Sequence, residues 1–239
     1  MTDKTAIIIP ARIDSTRYPE KMIVKVDELQ CLIERVKHWC ECAHDEEHVY
    51  VATDSKKIAS LFTENVIMTS SNCVNGTERI VEAMHILEKS GKHYDKFINV
   101  QGDMIDPPIS VFSDITRLLD YNDVVTVVAP MEDKDRNNPN SVKAIHNGHQ
   151  AQWFCRAPLN YGDWHLGIYG YTKPALAQYP FLEVMRPELE ESLEQLRWLN
   201  NNIKIAITYT EENAEEINTP LDLINWKDKQ KNDTKPTLR

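Results

Sequence analysis

Glycine is scarce in this sequence, with only 7 residues in a chain of 239. Neither the GxxxxGK[ST] spacing nor the GxGxxG spacing occurs. The sequence therefore disfavours a P-loop and a dinucleotide-binding turn. With so few glycines, we expect each of them to stand where the backbone needs it.

The chain also lacks the cysteine patterns and the long apolar runs that define several protein classes. Its five cysteines are odd in number and unevenly spaced, and they include no CxxC pair. They predict neither a disulfide framework nor a zinc site. No segment reaches the ~18 apolar residues that a membrane span requires. We expect a cytoplasmic protein that has no membrane partner.

Positive charge is in deficit, with 27 Lys plus Arg against 37 Asp plus Glu and a formal net charge of -10. This balance disfavours nucleic acid as the main partner, because binding to the phosphate backbone needs a basic surface. Hydrophobic residues make up 41% and charged residues 27%, which is typical of a globular protein and too apolar for a disordered chain. The length fits one domain or two closely joined lobes.

Short apolar segments alternate with helical stretches in the first half of the chain. The pattern predicts helices at residues 29–42, 56–62 and 77–88, the last capped by Thr77. Strands rich in Val and Ile are predicted at residues 6–9, 49–52, 66–68, 97–100 and 124–129. Such alternation predicts an α/β fold with a mostly parallel sheet that helices cover on both faces.

The pattern changes after Pro130, because the next three predicted strands have no helices between them. These strands, at residues 142–145, 151–155 and 166–171, indicate an inserted antiparallel lobe. An amphipathic helix at 187–200, a strand at 203–208 and a closing helix at 221–227 follow. We divide this single domain into a main lobe at 1–131, a second lobe at 132–200, a return to the main lobe at 201–226 and a polar tail at 227–239.

Three cations follow the first predicted strand. Ligands of open parallel sheets bind beyond the carboxyl ends of the strands. Residues 10–21 lie there and carry Arg12, Arg17 and Lys21. Arginine forks match phosphate oxygens, and lysine adds a point charge. Any one of these residues alone would be read as a solvated surface charge, but the three together favour a site for a triphosphate.

The sequence Gln101-Gly102-Asp103 follows the fourth predicted strand. A carboxylate at a strand end can bind Mg²⁺ together with substrate phosphates. The commoner use of aspartate after a strand is to cap the next turn. Gly102 would let the backbone approach a ligand closely, which favours the metal hypothesis for Asp103.

Weaker patterns lie on three other segments. Residues 75–77 form a turn that feeds a helix, whose free N–H groups could meet a polar ligand. Arg156 could pair with a substrate carboxylate. Strand alternation places His165, Gly167 and Tyr169 on one face, although a single histidine on a strand is more often a core residue.

Glu194 and Arg197 are three residues apart on the predicted helix at 187–200. Side chains at this spacing lie next to each other, so a simple ion pair between them is as well supported as a binding role.

Together these segments resemble one family, the 3-deoxy-manno-octulosonate (Kdo) cytidylyltransferases, which make CMP-Kdo for lipopolysaccharide from CTP and Kdo. The matching stretches run from residue 7 to residue 223 and include IIIPARIDSTRYPEK, VATD, NGTER, NVQGD, NPNSVK, HLGIYGY, ESLEQLR and INTPLDL. The resemblance implies a Rossmann-like nucleotidyltransferase fold and a homodimer. It also implies that the inserted lobe binds the sugar and joins the subunits.

The resemblance also implies roles for individual residues. Catalysis would depend on Arg12, Lys21 and Asp103. The nucleotide would be bound by Ala11, Arg12, Ser15, Lys21, Asn75, Gly76, Thr77 and Gln101. The sugar acid would be bound by Gln101, Arg156, His165, Tyr169, Glu194 and Gln195. The cofactor would be Mg²⁺, held by Asp103 and by the residue at position 218.

Three departures from the family pattern bear on activity. Glu20 replaces a glycine of the PGK loop, Asn75 replaces a serine, and Asn218 replaces the second metal-binding aspartate. Asparagine offers a neutral oxygen ligand and no negative charge. These departures leave two alternatives open beside a Kdo cytidylyltransferase. One is a weakly active or noncatalytic relative that binds nucleotide, and the other is a nucleotidyltransferase for a different sugar acid. A sugar 1-phosphate enzyme is disfavoured by HLGIYGY and LEQLR.

Overall fold

One nine-stranded sheet organises the computed structural model, which describes residues 4–15, 17–212 and 214–233. The strands are β1 Thr5–Ala11, β2 Val49–Thr53, β3 Val66–Met68, β4 Lys96–Asn99, β5 Val124–Ala129, β6 Lys143–His146, β7 Ala151–Cys155, β8 Asp163–Thr172 and β9 Ile205–Tyr209. The main order is β3-β2-β1-β4-β8-β5-β9, and β6 pairs with β7 and β8. Only β8 in the main order runs antiparallel to its neighbours. The predicted mostly parallel sheet is confirmed.

Helices cover both faces of this sheet. They are α1 Leu32–Ala43, α2 Lys56–Ala59, α3 Gly76–Lys89, α4 Phe112–Leu118, α5 Lys173–Gln178, α6 Arg186–Glu191, α7 Leu196–Asn200 and α8 Pro220–Asp233. Side chains of β1 alternate between two apolar clusters, because successive residues of a strand point to opposite faces. Ile7 and Ile9 pack with α1, α4 and α8, whereas Ala6 and Ile8 pack with α3, α5 and α7. No described helix is long and apolar enough to span a bilayer.

The antiparallel strands expected after Pro130 are present, and they continue the central sheet. Strand β8 lies between β4 and β5, and the β6–β7 hairpin extends from it. Asn99 of β4 pairs with Tyr169 of β8, which in turn pairs with Thr126 of β5. This insertion brings the second half of the chain directly beside the carboxyl end of β4.

The single helix predicted at 187–200 is wrong. The chain forms α6 and α7, separated at Ser192, which has a left-handed backbone with φ 53. The break buries Leu193 and Leu196 but leaves Leu189 68% exposed. It also turns residues 194 and 195 toward the end of the sheet, where both line a cavity.

Smaller corrections concern helix ends. Asn75, and not Thr77, caps α3 by accepting a hydrogen bond from the Glu78 amide at 2.8 Å. The helix predicted at 56–62 ends at Ala59, and α4 and α5 were not predicted. Helix α8 continues to residue 233, beyond the predicted end of the closing helix at 227. Thr16 and the predicted tail residues 234–239 lie outside the described residues.

Candidate active site

Two adjoining cavities open at the carboxyl ends of β1 and β4. Their volumes are about 660 and 360 Å³. Both are lined by Arg12, Arg17, Gly76, Gln101 and Asp103, so they form one continuous site. The site lies where the strand order predicted a ligand.

The smaller cavity is also lined by Ser15 and Lys21. Lys21 is buried, and its Nζ donates to Asp103 Oδ2 at 2.6 Å and to Asn218 Oδ1 at 3.5 Å. These contacts bring together the cationic loop after β1, the Gln-Gly-Asp turn after β4 and the segment before α8. The three parts are distant in the sequence.

Three arginines of the larger cavity form no ion pair with any described carboxylate. Arg12 donates to the Val74 carbonyl at 2.8 Å, and Arg17 donates to Asn140 Oδ1 and Asn218 Oδ1, both at 3.0 Å. The Arg156 guanidinium is held by the carbonyls of Glu191 and Pro139, at 2.9 and 3.0 Å. Neutral oxygens position all three guanidinium groups, so their positive charges remain available to an anionic ligand.

Glu20 lies outside both cavities despite its place in the cationic loop. It has a left-handed backbone with φ 56, the conformation that glycine adopts most easily. Its carboxylate pairs with Lys57 at the start of α2. The charge introduced at this position is therefore neutralised on the surface and does not face Asp103.

Gly102 allows two strand ends to approach each other. A Cβ atom at this position would lie 2.9 Å from the Pro10 carbonyl oxygen. We expected Gly102 to let the backbone approach a ligand closely. In the structure, the group that approaches Gly102 closely is the backbone of Pro10. The Asp103 carbonyl then accepts the Ile217 amide at 2.9 Å, which fixes the turn against the segment before α8.

All six residues that the resemblance implies for the sugar line the larger cavity: Gln101, Arg156, His165, Tyr169, Glu194 and Gln195. Tyr169 donates its hydroxyl hydrogen to Gln195 Oε1 at 3.0 Å. The Gln195 Nε2 is buried and has no hydrogen-bond partner among the described residues. A buried amide donor of this kind is normally satisfied, so it suits an oxygen of a bound ligand.

His165 is buried against Thr126. Its Nε2 lies 2.9 Å from Thr126 Oγ1, and the Thr126 hydroxyl donates to the Ile168 carbonyl at 2.7 Å. Since that hydroxyl has one hydrogen, we assign the proton of this contact to His165 Nε2. Burial, with the charge of Arg156, lowers the His165 pKa to about 3. His165, which lines the larger cavity, is therefore expected to be a neutral imidazole near pH 7 with its lone pair on Nδ1.

Two predicted nucleotide-binding residues do not line either cavity. Ala11 is buried at the end of β1, and Thr77 is buried at the start of α3. The Thr77 amide donates to Glu194 Oε2 at 2.9 Å. Burial raises the pKa of Glu194, and the Thr77 hydrogen bond opposes that effect. A free amide at the N-terminus of α3 is thus already hydrogen-bonded to a carboxylate of the protein.

The simple ion pair between Glu194 and Arg197 does not form. The Arg197 guanidinium pairs with Glu188 at 2.6 Å and Glu78 at 3.2 Å. It also lies 4.3 Å above the Tyr179 ring. Arg197 therefore ties α6 and α7 to α3, while Glu194 is left to face the cavity.

Glu216 was not predicted from the sequence, although it lines the larger cavity with Asp103 and Asn218. Burial, together with the charge of Asp103, raises the pKa of Glu216 to about 7. Its Oε2 accepts a hydrogen bond from Asn218 Nδ2 at 3.0 Å. The spacing of two residues from Asn218 was the available signal, since such residues share a face in an extended segment.

A cationic loop, a strand-end carboxylate and a second set of polar side chains on one sheet edge define a nucleotidyltransferase. The family model described as cytidylyltransferase matches residues 6–205. The 3-deoxy-manno-octulosonate cytidylyltransferase of Bartonella bacilliformis is 33% identical, over 93% of this chain and 97% of its own. That of Rickettsia prowazekii is 35% identical, over 91% and 92%. The chain therefore belongs to the cytidylyltransferases, and within them to the 3-deoxy-manno-octulosonate cytidylyltransferase family.

The names of the related proteins contain different sugar acids. The 8-amino-3,8-dideoxy-manno-octulosonate cytidylyltransferase of Shewanella pealeana is 34% identical, over 91% of this chain and 94% of its own. A solved structure of CMP:2-keto-3-deoxy-manno-octonic acid synthetase complexed with CTP superposes with a TM-score of 0.86. It is 28% identical and covers 96% of this chain and 99% of its own. The predicted fold class and family are confirmed.

Proposed function

We propose that this protein transfers CMP from CTP to the anomeric hydroxyl of Kdo or a related 3-deoxy-ulosonic acid and releases pyrophosphate. The observation that carries the proposal is the set of Arg12, Arg17 and Arg156 in one cavity with no described carboxylate partner. A nucleoside triphosphate and a sugar acid are both anions. Three guanidinium groups that neutral oxygens hold in place suit such a pair of substrates.

The two substrates would occupy different parts of the site. The smaller cavity, lined by Arg12, Ser15 and Lys21, suits the triphosphate. The larger cavity suits the sugar acid, with Arg156 for its carboxylate and His165, Tyr169 and Gln195 for its hydroxyls. Asn75 and Gly76 line the larger cavity near the start of α3, where the base would bind. As part of this proposal, the lobe at 1–131 mainly binds the nucleotide and the lobe at 132–200 mainly binds the sugar.

The reaction depends on positioning the two substrates and on stabilising charge more than on a protein nucleophile. The anomeric oxygen attacks the α-phosphorus and loses its proton, while the bond to the β-phosphate oxygen breaks. Arg12 and Lys21 would stabilise the charge that develops on the phosphates, and Arg156 would hold the sugar acid in line.

The donor atoms fit Mg²⁺, which prefers oxygen ligands from one or two carboxylates together with phosphates. Asp103 offers a carboxylate at the junction of the two cavities. The described residues contain no group of three or more His, Cys, Asp or Glu side chains that could hold a metal ion. The phosphates of CTP would therefore complete the coordination. When bound, Mg²⁺ would neutralise charge on the triphosphate.

Pyrophosphate release tests the proposal. The protein is incubated with Mg²⁺, each of the four nucleoside triphosphates, and Kdo, its 8-amino analogue or a sialic acid. We expect release with CTP and an octulosonic acid, and Asp103→Ala should abolish it without unfolding the protein. Absence of release with CTP and every sugar acid would refute the proposed activity and support the noncatalytic alternative. Near-normal activity of Asp103→Ala would refute the metal assignment.

Arg156→Ala tests the division between the two substrates. Loss of a charge-assisted hydrogen bond to a carboxylate costs about 1.5–3 kcal/mol, so the KM for the sugar acid should rise about tenfold or more. The KM for CTP should change little. Arg136→Ala is a control, because this arginine pairs with Asp133 and lines neither cavity. An equal rise of both KM values would contradict the assignment.

We also propose that the protein is a cytoplasmic homodimer. Phe181, Val184 and Leu189 are 88%, 44% and 68% exposed on one segment of the chain, which favours an interface with another protein surface. Light scattering of the purified protein would give its mass, and a mass of one chain at micromolar concentration would contradict the dimer.

A further inference from the structure

Asp103 and Glu216 are brought together by backbone pairing. Met104 and Glu216 form an isolated antiparallel bridge. The Ile217 amide donates to the Asp103 carbonyl, and the Ile105 amide donates to the Glu215 carbonyl, both at 2.9 Å. These bonds hold the segment before α8 against the turn after β4. Both carboxylates consequently line the larger cavity.

Asn218 presents its oxygen to cations. Its Oδ1 accepts from Arg17 at 3.0 Å and from Lys21 at 3.5 Å. Its Nδ2 donates to Glu216 Oε2 at 3.0 Å. This arrangement orients Glu216 and two cationic side chains, and it leaves position 218 without a negative charge to offer a metal.

We propose that Glu216 is the second carboxylate of the magnesium site, where it acts with Asp103, and that Asn218 is a positioning residue. The inference rests on the proposed function and deepens it. The negative charge that is missing at position 218 is restored two residues earlier, on the same side of an extended segment. Two carboxylates and the triphosphate then provide the oxygen ligands that Mg²⁺ requires.

The neighbouring residue provides a matched control. Glu215 has the same side chain, but it forms an ion pair with Lys229 of α8 and does not line the larger cavity. Neutralising Glu215 therefore removes one negative charge from the same segment without removing a carboxylate from beside Asp103. A general effect of net charge on metal binding would appear equally in Glu215→Gln and Glu216→Gln.

Binding of Mn²⁺ alone, followed by the paramagnetic resonance signal of the free ion, tests the inference without turnover. Mn²⁺ uses the same oxygen ligands as Mg²⁺. Glu216→Gln should weaken binding about tenfold or more, whereas Glu215→Gln should stay within about threefold of the wild type. Equal affinities of Glu216→Gln and Glu215→Gln would overturn the proposal. Melting temperatures of the variants establish that each is folded.

A second measurement uses the rate at varied Mg²⁺ with saturating CTP and Kdo. Glu216→Gln should raise the Mg²⁺ concentration for half-maximal rate and leave the KM for Kdo nearly unchanged. Adding Asn218→Asp to Glu216→Gln should lower the Mg²⁺ concentration for half-maximal rate again. An active wild type whose Mn²⁺ affinity is independent of Glu216 would refute this inference alone. A wild type that binds Mn²⁺ through Glu216 but releases no pyrophosphate would refute only the proposed activity.

Discussion

Glu20 provides a prediction at the scale of one residue. Its left-handed backbone is unfavourable for a side chain, and its carboxylate pairs with Lys57 outside the site. Glu20→Gly should stabilise the protein by up to about 1 kcal/mol in urea unfolding, because the backbone strain is relieved. The KM for CTP should change less than about twofold, because the Glu20 carboxylate lies outside both cavities. A large fall in this KM would mean that the carboxylate does act on the triphosphate.

His165 predicts a pH dependence of stability. Its pKa in the folded protein is about 3, below the ordinary value of 6.5, so the unfolded chain binds the proton first as the pH falls. The stability from this residue is complete above pH 6.5 and is lost as the pH falls toward 3. Between pH 7 and pH 5 the loss is about 2 kcal/mol. Urea unfolding of His165→Gln should show a smaller loss than the wild type or His149→Gln, a change at an exposed histidine. Equal losses of stability in the wild type, His165→Gln and His149→Gln would contradict the lowered pKa of His165.

At the scale of elements, Gly102 joins the ends of β1 and β4. The Cβ of Gly102→Ala would meet the Pro10 carbonyl at 2.9 Å, and a backbone atom cannot move aside cheaply. We expect a loss of about 1–3 kcal/mol in unfolding free energy and a lower kcat, because the Asp103 turn is displaced. Gly148→Ala is the control, since its Cβ meets nothing within 4 Å and only backbone strain remains. A variant at Gly102 with normal kcat would show that the strand ends tolerate separation.

Most elements were predictable because their signals are local. Strands β1 to β5 are short apolar runs, and the cations of residues 10–21 follow one of them. The break between α6 and α7 was not predictable, since leucines at 189, 193, 196 and 199 continue a helical pattern across it. It depends on tertiary contacts such as the pair of Arg197 with Glu188. Glu216 was missed because a glutamate in a polar segment reads as solvated, whereas pairing with Met104 places it at the cavity.

At the scale of the whole molecule, the central place of β8 has a consequence for biosynthesis. Strands β4 and β5 contact each other through β8, which follows β5 in the chain. Until the ribosome has released residue 172, strand β4 therefore has one unpaired edge, and β5 has two because its other neighbour β9 is made later still. Such edges are templates for aggregation. During translation, the sheet of β1 to β4 and strand β5 should therefore remain unassembled with each other until β8 has been synthesised. Pulse-labelled hydrogen exchange during refolding should protect β1, β2 and β4, which pair with one another, before β5, and simultaneous protection of all four would refute this order.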